Sequence, residues 1–560
     1  MDKPWFSQYE EGIPHEIPAI AYKSLADFCE QVCARYGDMP AFTNFDSSIS
    51  YREFGELTRS LAAFLTQKLK LSQGDRVAIM MPNILSYPVG IFGILRAGLI
   101  AVNVNPQYTK PELLHQLQDC GAKAIIVWDG AASVVAAAIK EMQNPPLVIV
   151  TGLGDLMPAI KKYLFAFVLR FVKKQIPSWH IENAYSFNDV LKQGKNIKLP
   201  AITVSLEDVA FLQYTGGTTG VPKGAMLSHH NMLANLSQAS EWVKNVLKPG
   251  VGDIAISPLP FYHIFSLLAN CFLFMQLGGN DVLITNPRDI PHLIATLKKY
   301  PFNFFTGVNT LFNALMNDPG IKDVDFSTMK LNLGGGMAVQ IAVAERWQQI
   351  TGKTLLEGYG LSETSPAVTI MPANSTTFIG SCGVPVPSTD IEIRDEQGTA
   401  LGIKESGELW VKGPQVMLGY WQQAQETVNV LKDGWFDTGD IAMVDENGFV
   451  FILDRKKDMI IVSGFNVYPN EIEDVVAKLP GVLEVAAIGV PDEHSGETVK
   501  LFIVKKDLNL TAEDVEKYCH ENLTGYKRPK YIEFRTELPK TNVGKILRRA
   551  LREDPSVMKK

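Results

Sequence analysis

The sequence predicts an α/β protein with largely parallel sheets, then a β-rich stretch, then a mixed α/β segment at the end. Three observations carry this. Short apolar β-branched runs alternate with helix-like stretches through most of the chain. Beyond about residue 380, short strands and Gly- or Asn-Gly-containing turns take over, the pattern of hairpins. After the charged run DRKKD (Asp454–Asp458), an amphipathic α/β-like pattern returns. At 560 residues the chain is too long for one core, and length suggests about two to four domains.

Taken in order, DRVAIMMPN (75–83) reads as a strand leaving into a turn, and YPVGIFGILRAGLIAVNVNP as a helix and then a strand. AKAIIVWD (122–129) and PLVIVTG (146–152) are buried-strand candidates, and DVLITN (281–286) and NFFTGV (303–308) repeat the pattern. The segment MPAIKKYLFAFVLRFVKKQI (157–176) reads as an amphipathic helix. Ile160, Leu164, Phe165, Phe167, Val168, Phe171 and Val172 fill one arc; Lys161, Lys162, Arg170, Lys173 and Lys174 fill most of the other. Such a helix either packs on the core or lies in a membrane interface. Ile254 to Asn280 carries no formal charge and would pass a crude test for a membrane span. Pro258, Pro260, His263, Asn270, Gln276 and two glycines interrupt it, and Asp253 and Asp281 flank it. It reads instead as a strand, a turn and a buried helix. The DRKKD run suits a hinge or an ordinary surface turn. No fixed-period repeat or low-complexity segment is visible.

Composition is that of an ordinary globular protein: 46% hydrophobic and 20% charged. A net charge of −7 argues against a dedicated nucleic-acid binder, and the basic run KILRRALR (545–552) reads as a solvated helix face. Cys29 and Cys33 share a helix face, but no second pair completes a zinc set among the six cysteines. Reduced thiols and a cytosolic compartment are expected. The start, MDKPWFSQYEEGIP, lacks the apolar core of a signal peptide, and the end has no prenylation box.

The stretch YTGGTTGVPKGA (214–225) has the look of a phosphate-binding loop, because Gly and Thr backbones can turn N–H groups toward phosphate oxygens and Lys223 adds a charge. It is a poor Walker A loop. Counting from Gly217, Pro222 stands where the second Gly belongs and Gly224 where the hydroxyl belongs. Other polar motifs follow. GGGMAV (334–339) allows close backbone approach to a flat base, and EGYGLSET (357–364) sets Tyr359 between glycines with Glu363 four residues on. WFDTGD ends at Asp440, and DRKKDMIIVSGFNVYPNEIE and PKTNVGKILRR come last. Any one alone is weak, since Gly-rich runs are usually turns.

Together, in this order, the motifs resemble the adenylate-forming superfamily of acyl-CoA ligases, luciferase-like enzymes and peptide-synthetase adenylation domains. LPFYHIF, ITNPRDIP, GVNTLFNAL and LTGYKRPK make the likeness strongest to bacterial long-chain fatty-acid–CoA ligases. The resemblance spans nearly the whole chain. It implies a large N-terminal domain (1–453) of parallel-sheet α/β subdomains plus a β-rich subdomain, a hinge (454–459), and a small mobile α+β C-terminal domain (460–560). It implies conversion of a long-chain fatty acid, ATP and CoA to acyl-CoA, AMP and pyrophosphate, with Mg²⁺ as cofactor.

The resemblance also implies roles. Tyr214, Thr215, Gly216, Gly217, Thr218, Thr219, Gly220 and Lys223 belong to the loop around the pyrophosphate end of ATP. Thr218 and Glu363 match metal ligands, as a hard cation favours oxygen donors. Tyr359, within Glu357, Gly358 and Gly360, matches the ring stacked on adenine, beside a wall of Gly334, Gly335 and Gly336. Asp440 matches the acceptor of the ribose hydroxyls, Arg455 a cation near ribose and phosphate, and Lys545 the lysine bridging the attacking carboxylate and α-phosphate. Two anions must meet there, so a cation between them lowers the barrier. His263 matches an acyl-site residue, and Gly307, Val308 and Phe312 border the expected acyl tunnel. Lys457 matches the pivot of a domain rotation that withdraws Lys545 and brings Gly464 and Phe465 toward CoA. Two departures, Gly216 for a common serine and Ser362 for a common threonine, should not abolish adenylation. A carrier-protein thiol is the alternative acceptor. Peripheral association with the cytoplasmic membrane and a monomer or homodimer are expected.

Overall fold

The computed structural model describes residues 3–174, 176–215, 222–492, 494–541 and 544–554. Two large sheets dominate. One has nine strands; its centre, built from 40–44, 254–257, 280–283, 304–307, 331–335 and 356–360, is parallel. The other has eight strands, with 76–80, 100–103, 124–128, 147–151, 185–186 and 209–215 parallel. Antiparallel strands close both edges of the first sheet and one edge of the second, whose other edge is the parallel strand 185–186. The central strands are buried along almost their whole length, as in IAVN (100–103) and FFTG (304–307). Helices cover both faces of such strands, so the sequence there reads as continuous apolar runs rather than alternation.

Helices begin where local chemistry dictates. Ser50, Thr109 and Ser228 each form reciprocal capping boxes with the residue three positions on. Each box satisfies N–H groups that the first turn leaves unpaired. The helix His229–Val243, started in this way, lies on the core with Leu233, Leu236, Ala239 and Trp242 buried. The uncharged run resolves as expected into the strand Ile254–Ser257 and a helical stretch from Ile264 to Leu277 that is buried through most of its length.

The third sheet is antiparallel and takes in 390–394, 407–412, 431–432, 435–444 and 450–455. This is the hairpin-rich stretch seen in the sequence. The fourth sheet combines 460–462, 465–467, 482–492 and 496–505, antiparallel, with 531–535 added in parallel. Helices Pro469–Val476 and Ala512–Asn522 join it around a separate core of Val467, Ile472, Val485, Leu501 and Val515. All six cysteines are buried and free. Among the described residues, no helix is long and apolar enough to cross a membrane.

Two surface segments bear on the sequence reading, which left the first open between core packing and a membrane interface and took the second as a solvated face. The segment 159–172 is helical, but its apolar arc faces outward: Ile160, Leu164, Phe167, Phe171 and Val172 are all exposed, Ile160 to 84%. Its first lysines turn inward. Lys161 donates to the carbonyls of Phe45 and Asp46 at 2.9 and 3.0 Å, and Lys162 pairs with Asp155 at 3.0 Å. Leu169 is buried and Phe165 of the arc packs on Phe45 at 4.8 Å, so the lysines and these two side chains together seat the helix and leave the rest of the apolar side outward. The basic run KILRRALR is not a uniformly solvated face either. It forms the short helix Arg548–Arg552, in which Leu551 is buried and Arg548 enters an ion-pair network.

Candidate active site

The site lies where the parallel strands end, the usual place for ligands in α/β sheets. Tyr214 and Thr215 finish one parallel strand, Gly334 and Gly335 a second, and Glu357 to Gly360 a third. Thr215 pairs in register with Lys223 on the returning strand, which pins both ends of the glycine–threonine loop. Gly216, Gly217, Thr218, Thr219 and Gly220 lie outside the described residues. The antiparallel sheet contributes the rest. Asp440 and Arg455 are directly opposite partners in its register.

All of the described residues among these except Gly334 and Gly335 line one cavity of about 1340 Å³. At its polar pole the Tyr359 hydroxyl donates to Asp440 Oδ2 at 2.6 Å, and Arg455 Nε stands 3.5 Å from Asp440 Oδ1. Burial raises the Asp440 carboxyl above its ordinary range, while Arg455 pulls it back. Glu363 is also buried and accepts from the Tyr420 hydroxyl at 2.8 Å. Desolvation raises its pKa too. Lys223 pairs with Glu426 and sits over the Tyr420 ring.

Lys545 reaches into this pole from the last segment of the chain. Its loop closes on itself, with Lys545 N–H donating to Thr541 Oγ1 at 3.0 Å. A hydrogen bond from Thr310 Oγ1 to the Gly544 carbonyl, 3.1 Å, ties it to the large sheets. Gly336, with φ of +78°, is where the side chain passes: a Cβ there would lie 3.4 Å from Lys545 Cε. Burial, then Arg455, lowers the Lys545 ammonium to about 8, and Asp440 and Glu363 act the other way. His263 lines the same cavity. Burial and then the Lys545 charge push it down to about 3, so it is neutral. Glu357 is buried and pushed up to about 8 by desolvation, and it accepts from the Val339 N–H at 3.3 Å. Gly360 has no room for a side chain, because a Cβ would lie 2.0 Å from the Pro366 carbonyl oxygen.

An apolar arm runs from this pole into the core. Ala239 and Trp242 line it from one helix, Leu268 and Leu273 from a second, and Phe304, Leu331 and Met371 from the sheet side. Trp242 is fixed by its indole N–H donating to the Met371 carbonyl at 3.1 Å. Of the residues expected around an acyl tunnel, His263 lines the cavity, and so do Asn309 and Thr310 from the 307–312 segment and Gly336 and Met337 from the glycine run. Gly307, Val308 and Phe312 do not border the cavity; they pack in a neighbouring core, with Phe312 edge-on to Trp347 at 4.9 Å. The helix that follows, Asn309–Asn317, instead holds the C-terminal segment through Thr310 and Asn313. Gly334 and Gly335 back the site from behind: a Cβ on Gly334 would strike Val339 at 2.7 Å. Lys457 borders the cavity. Gly464 and Phe465 lie apart from it, with Phe465 stacked on Tyr526 at 4.7 Å.

The apolar arm was missed in the sequence because its residues are scattered over five segments. The uncharged run 254–280 and the apolar face of 229–243 were its only signals.

This fold and cavity define a class: enzymes that hold a nucleotide beside an apolar acyl site. The chain belongs to the AMP-binding enzyme family, which matches residues 29–421, with the family's C-terminal domain matching 471–545. Within it the chain stands with the long-chain-fatty-acid–CoA ligases. It is 53% identical to one from Yersinia pestis, covering 99% of this chain and 98% of that protein. It is 51% identical to another from Haemophilus influenzae, covering 99% of both. A crystal structure of an anthranilate CoA ligase in complex with anthranoyl-AMP superimposes with a TM-score of 0.84 at 25% identity, over 95% of this chain and 97% of that one.

Proposed function

We propose that the chain ligates long-chain fatty acids to coenzyme A at the expense of ATP, through an acyl adenylate. The observation that carries this is the single cavity joining a charged pole to an apolar arm. A fatty acid seated with its tail between Trp242, Leu268 and Phe304 presents its carboxylate to the pole. Tyr359 and the Gly334–Gly336 wall flank adenine there, and Asp440 accepts from the ribose hydroxyls. A carboxylate oxygen then forms a bond to the α-phosphorus, and pyrophosphate leaves with the electrons of the broken P–O bond. Lys545 sits between the two anions, and Arg455 adds a second positive charge. The CoA sulfur next attacks the acyl carbon, its proton is lost to solvent, and AMP departs.

Magnesium fits the residues present. Glu363 is a buried carboxyl that accepts from the Tyr420 hydroxyl and has a pKa raised by desolvation, so it favours a nearby cation. Glu363 and Thr218 would hold the ion, which supplies charge neutralisation on the pyrophosphate.

The second half-reaction calls for the rotation about 454–459 that brings Gly464 to the site. Gly464 has φ of +85° and open space around its α-carbon, which suits close approach of a pantetheine arm. The outward apolar face of helix 159–172 supports peripheral binding to the cytoplasmic membrane, where a long-chain acid partitions.

Product mass spectrometry after mixing the protein with ATP, Mg²⁺, oleate and CoA tests the main reading. Oleoyl-CoA with AMP is expected. Oleoyl-AMP without thioester would point to a carrier-protein acceptor, and no AMP with any carboxylate would overturn the reading.

A further inference from the structure

We propose that Arg548 is a positioning residue for adenylation: its guanidinium clasps the Asp454 end of the pivot and so keeps Lys545 in the cavity. This rests on the ligase reading above and on the rotation it involves.

Arg548 lies three residues beyond Lys545. One nitrogen stands 3.0 Å from Asp454 Oδ1, another 2.8 Å from Glu473 Oε2 and 2.5 Å from Asn470 Oδ1, and Nε donates to Glu473 Oε1 at 3.1 Å. The fork is therefore fully engaged, and only 14% of the side chain is exposed. Asp454 opens the pivot and is buried, 1% exposed at its side chain. It also accepts from the N–H groups of Arg455 and Asn470 at 2.8 and 3.0 Å. Arg552 extends the clasp to the far side of the pivot by pairing with Asp458 at 2.7 Å.

The partners divide into two kinds. Glu473 and Asn470 belong to the helix Pro469–Val476, on the same body as Arg548, so those contacts travel with it. Asp454 is the last residue but one of the strand Val450–Arg455 of the large body, whose neighbouring strand carries Asp440. A rotation about the pivot breaks the contacts that cross it, which are Arg548–Asp454, the Asn470 N–H bond to Asp454 and the Asn470 Nδ2 bond to the Leu453 carbonyl at 3.1 Å, and leaves Arg548–Glu473 in place. Arg548–Asp454 is the charged member of the set that holds the state with Lys545 inserted. Planar bidentate geometry makes Arg, rather than Lys, suited to spanning these acceptors.

The test separates the half-reactions in Arg548→Gln. Adenylation, read by pyrophosphate exchange, is expected to fall roughly a hundredfold, as for other losses of positioning. Thioester formation from supplied oleoyl-AMP is expected to stay within about threefold, since Lys545 is withdrawn in that step. Arg548→Lys keeps the charge without the fork and is expected to fall between. Asp454→Asn should add little to Arg548→Gln, because the two share one contact. A parallel fall in both half-reactions, or adenylation at the parent rate, would overturn the proposal. Trypsin cleavage at Arg455, Lys456 and Lys457 needs no substrate. It should quicken in Arg548→Gln at a temperature well below the melting point of the variant, and an unchanged cleavage rate there would overturn the clasp even if the parent protein proved to have no ligase activity.

Discussion

Lys545 carries the most demanding prediction. In the ligand-free protein its ammonium is lowered from 10.5 to about 8. That difference corresponds to about 3 kcal/mol of unfavourable environment for the charged form, an upper figure because the residue keeps some exposure. The cost is present while the ammonium stays charged in both folded and unfolded chains. It is relieved as pH rises from about 8 toward 10.5, because the folded protein releases its proton first. Two consequences can be measured. Lys545→Met should raise the melting temperature of the ligand-free protein at pH 7, with the advantage narrowing across that pH window. For catalysis the sign is opposite. Charged lysine is needed between two anions, so kcat/KM for adenylation should fall with an apparent pKa near 8 as pH rises. The limb in kcat should lie higher, because bound ATP and carboxylate favour the charged form. Lys545→Ala should lose roughly 10²–10³-fold in adenylation, the scale of removing one preorganised charge-stabilising donor. Lys545→Arg should be slower than the parent but lack the alkaline limb, since guanidinium stays protonated. Pyrophosphate exchange from pH 6 to 10 reads all of this. An alanine variant at the parent rate, or an arginine variant with the same alkaline limb, would refute the reasoning.

Asp440→Ala removes the acceptor of the Tyr359 hydroxyl and the partner of Arg455; ATP affinity by calorimetry should drop by about 1.5–3 kcal/mol, the range for hydrogen bonds to a charged group. Ala269 borders the apolar arm, so Ala269→Phe should shorten the preferred acyl chain in competition assays with mixed fatty acids, while octanoate is still activated. Phe167→Asp with Phe171→Asp should abolish co-sedimentation with anionic vesicles and leave the melting temperature nearly unchanged, because both side chains are more than half exposed. Lys161 and Lys162 are unsuitable for that test, since removing them would detach the helix from the body.

Much of the fold could be read along the chain. The parallel strands were legible because burial on both faces demands unbroken apolar runs, and the antiparallel sheet because its turns need Gly and Asn-Gly. Motifs also marked Tyr359, Glu363, Asp440, Arg455 and Lys545, which the cavity does bring together. Each such signal is local: a run, a turn, a short polar motif.

What was not local was not legible. Nothing in the sequence says that Asp440 and Arg455 are cross-strand partners, or that Arg548 reaches back across the pivot to Asp454. Phe312 and Trp242 are both buried aromatics, yet one packs in a closed core and the other lines the apolar arm of the cavity. The amphipathic helix shows the limit best. Its sequence determined that it would have an apolar and a basic face, while which face met the body depended on the carbonyls of Phe45 and Asp46 and the carboxylate of Asp155 waiting there. The sequence by itself determined the elements, because backbone geometry and burial act on neighbouring residues. Only the tertiary structure decided their pairings, because these depend on distances between residues far apart in the chain.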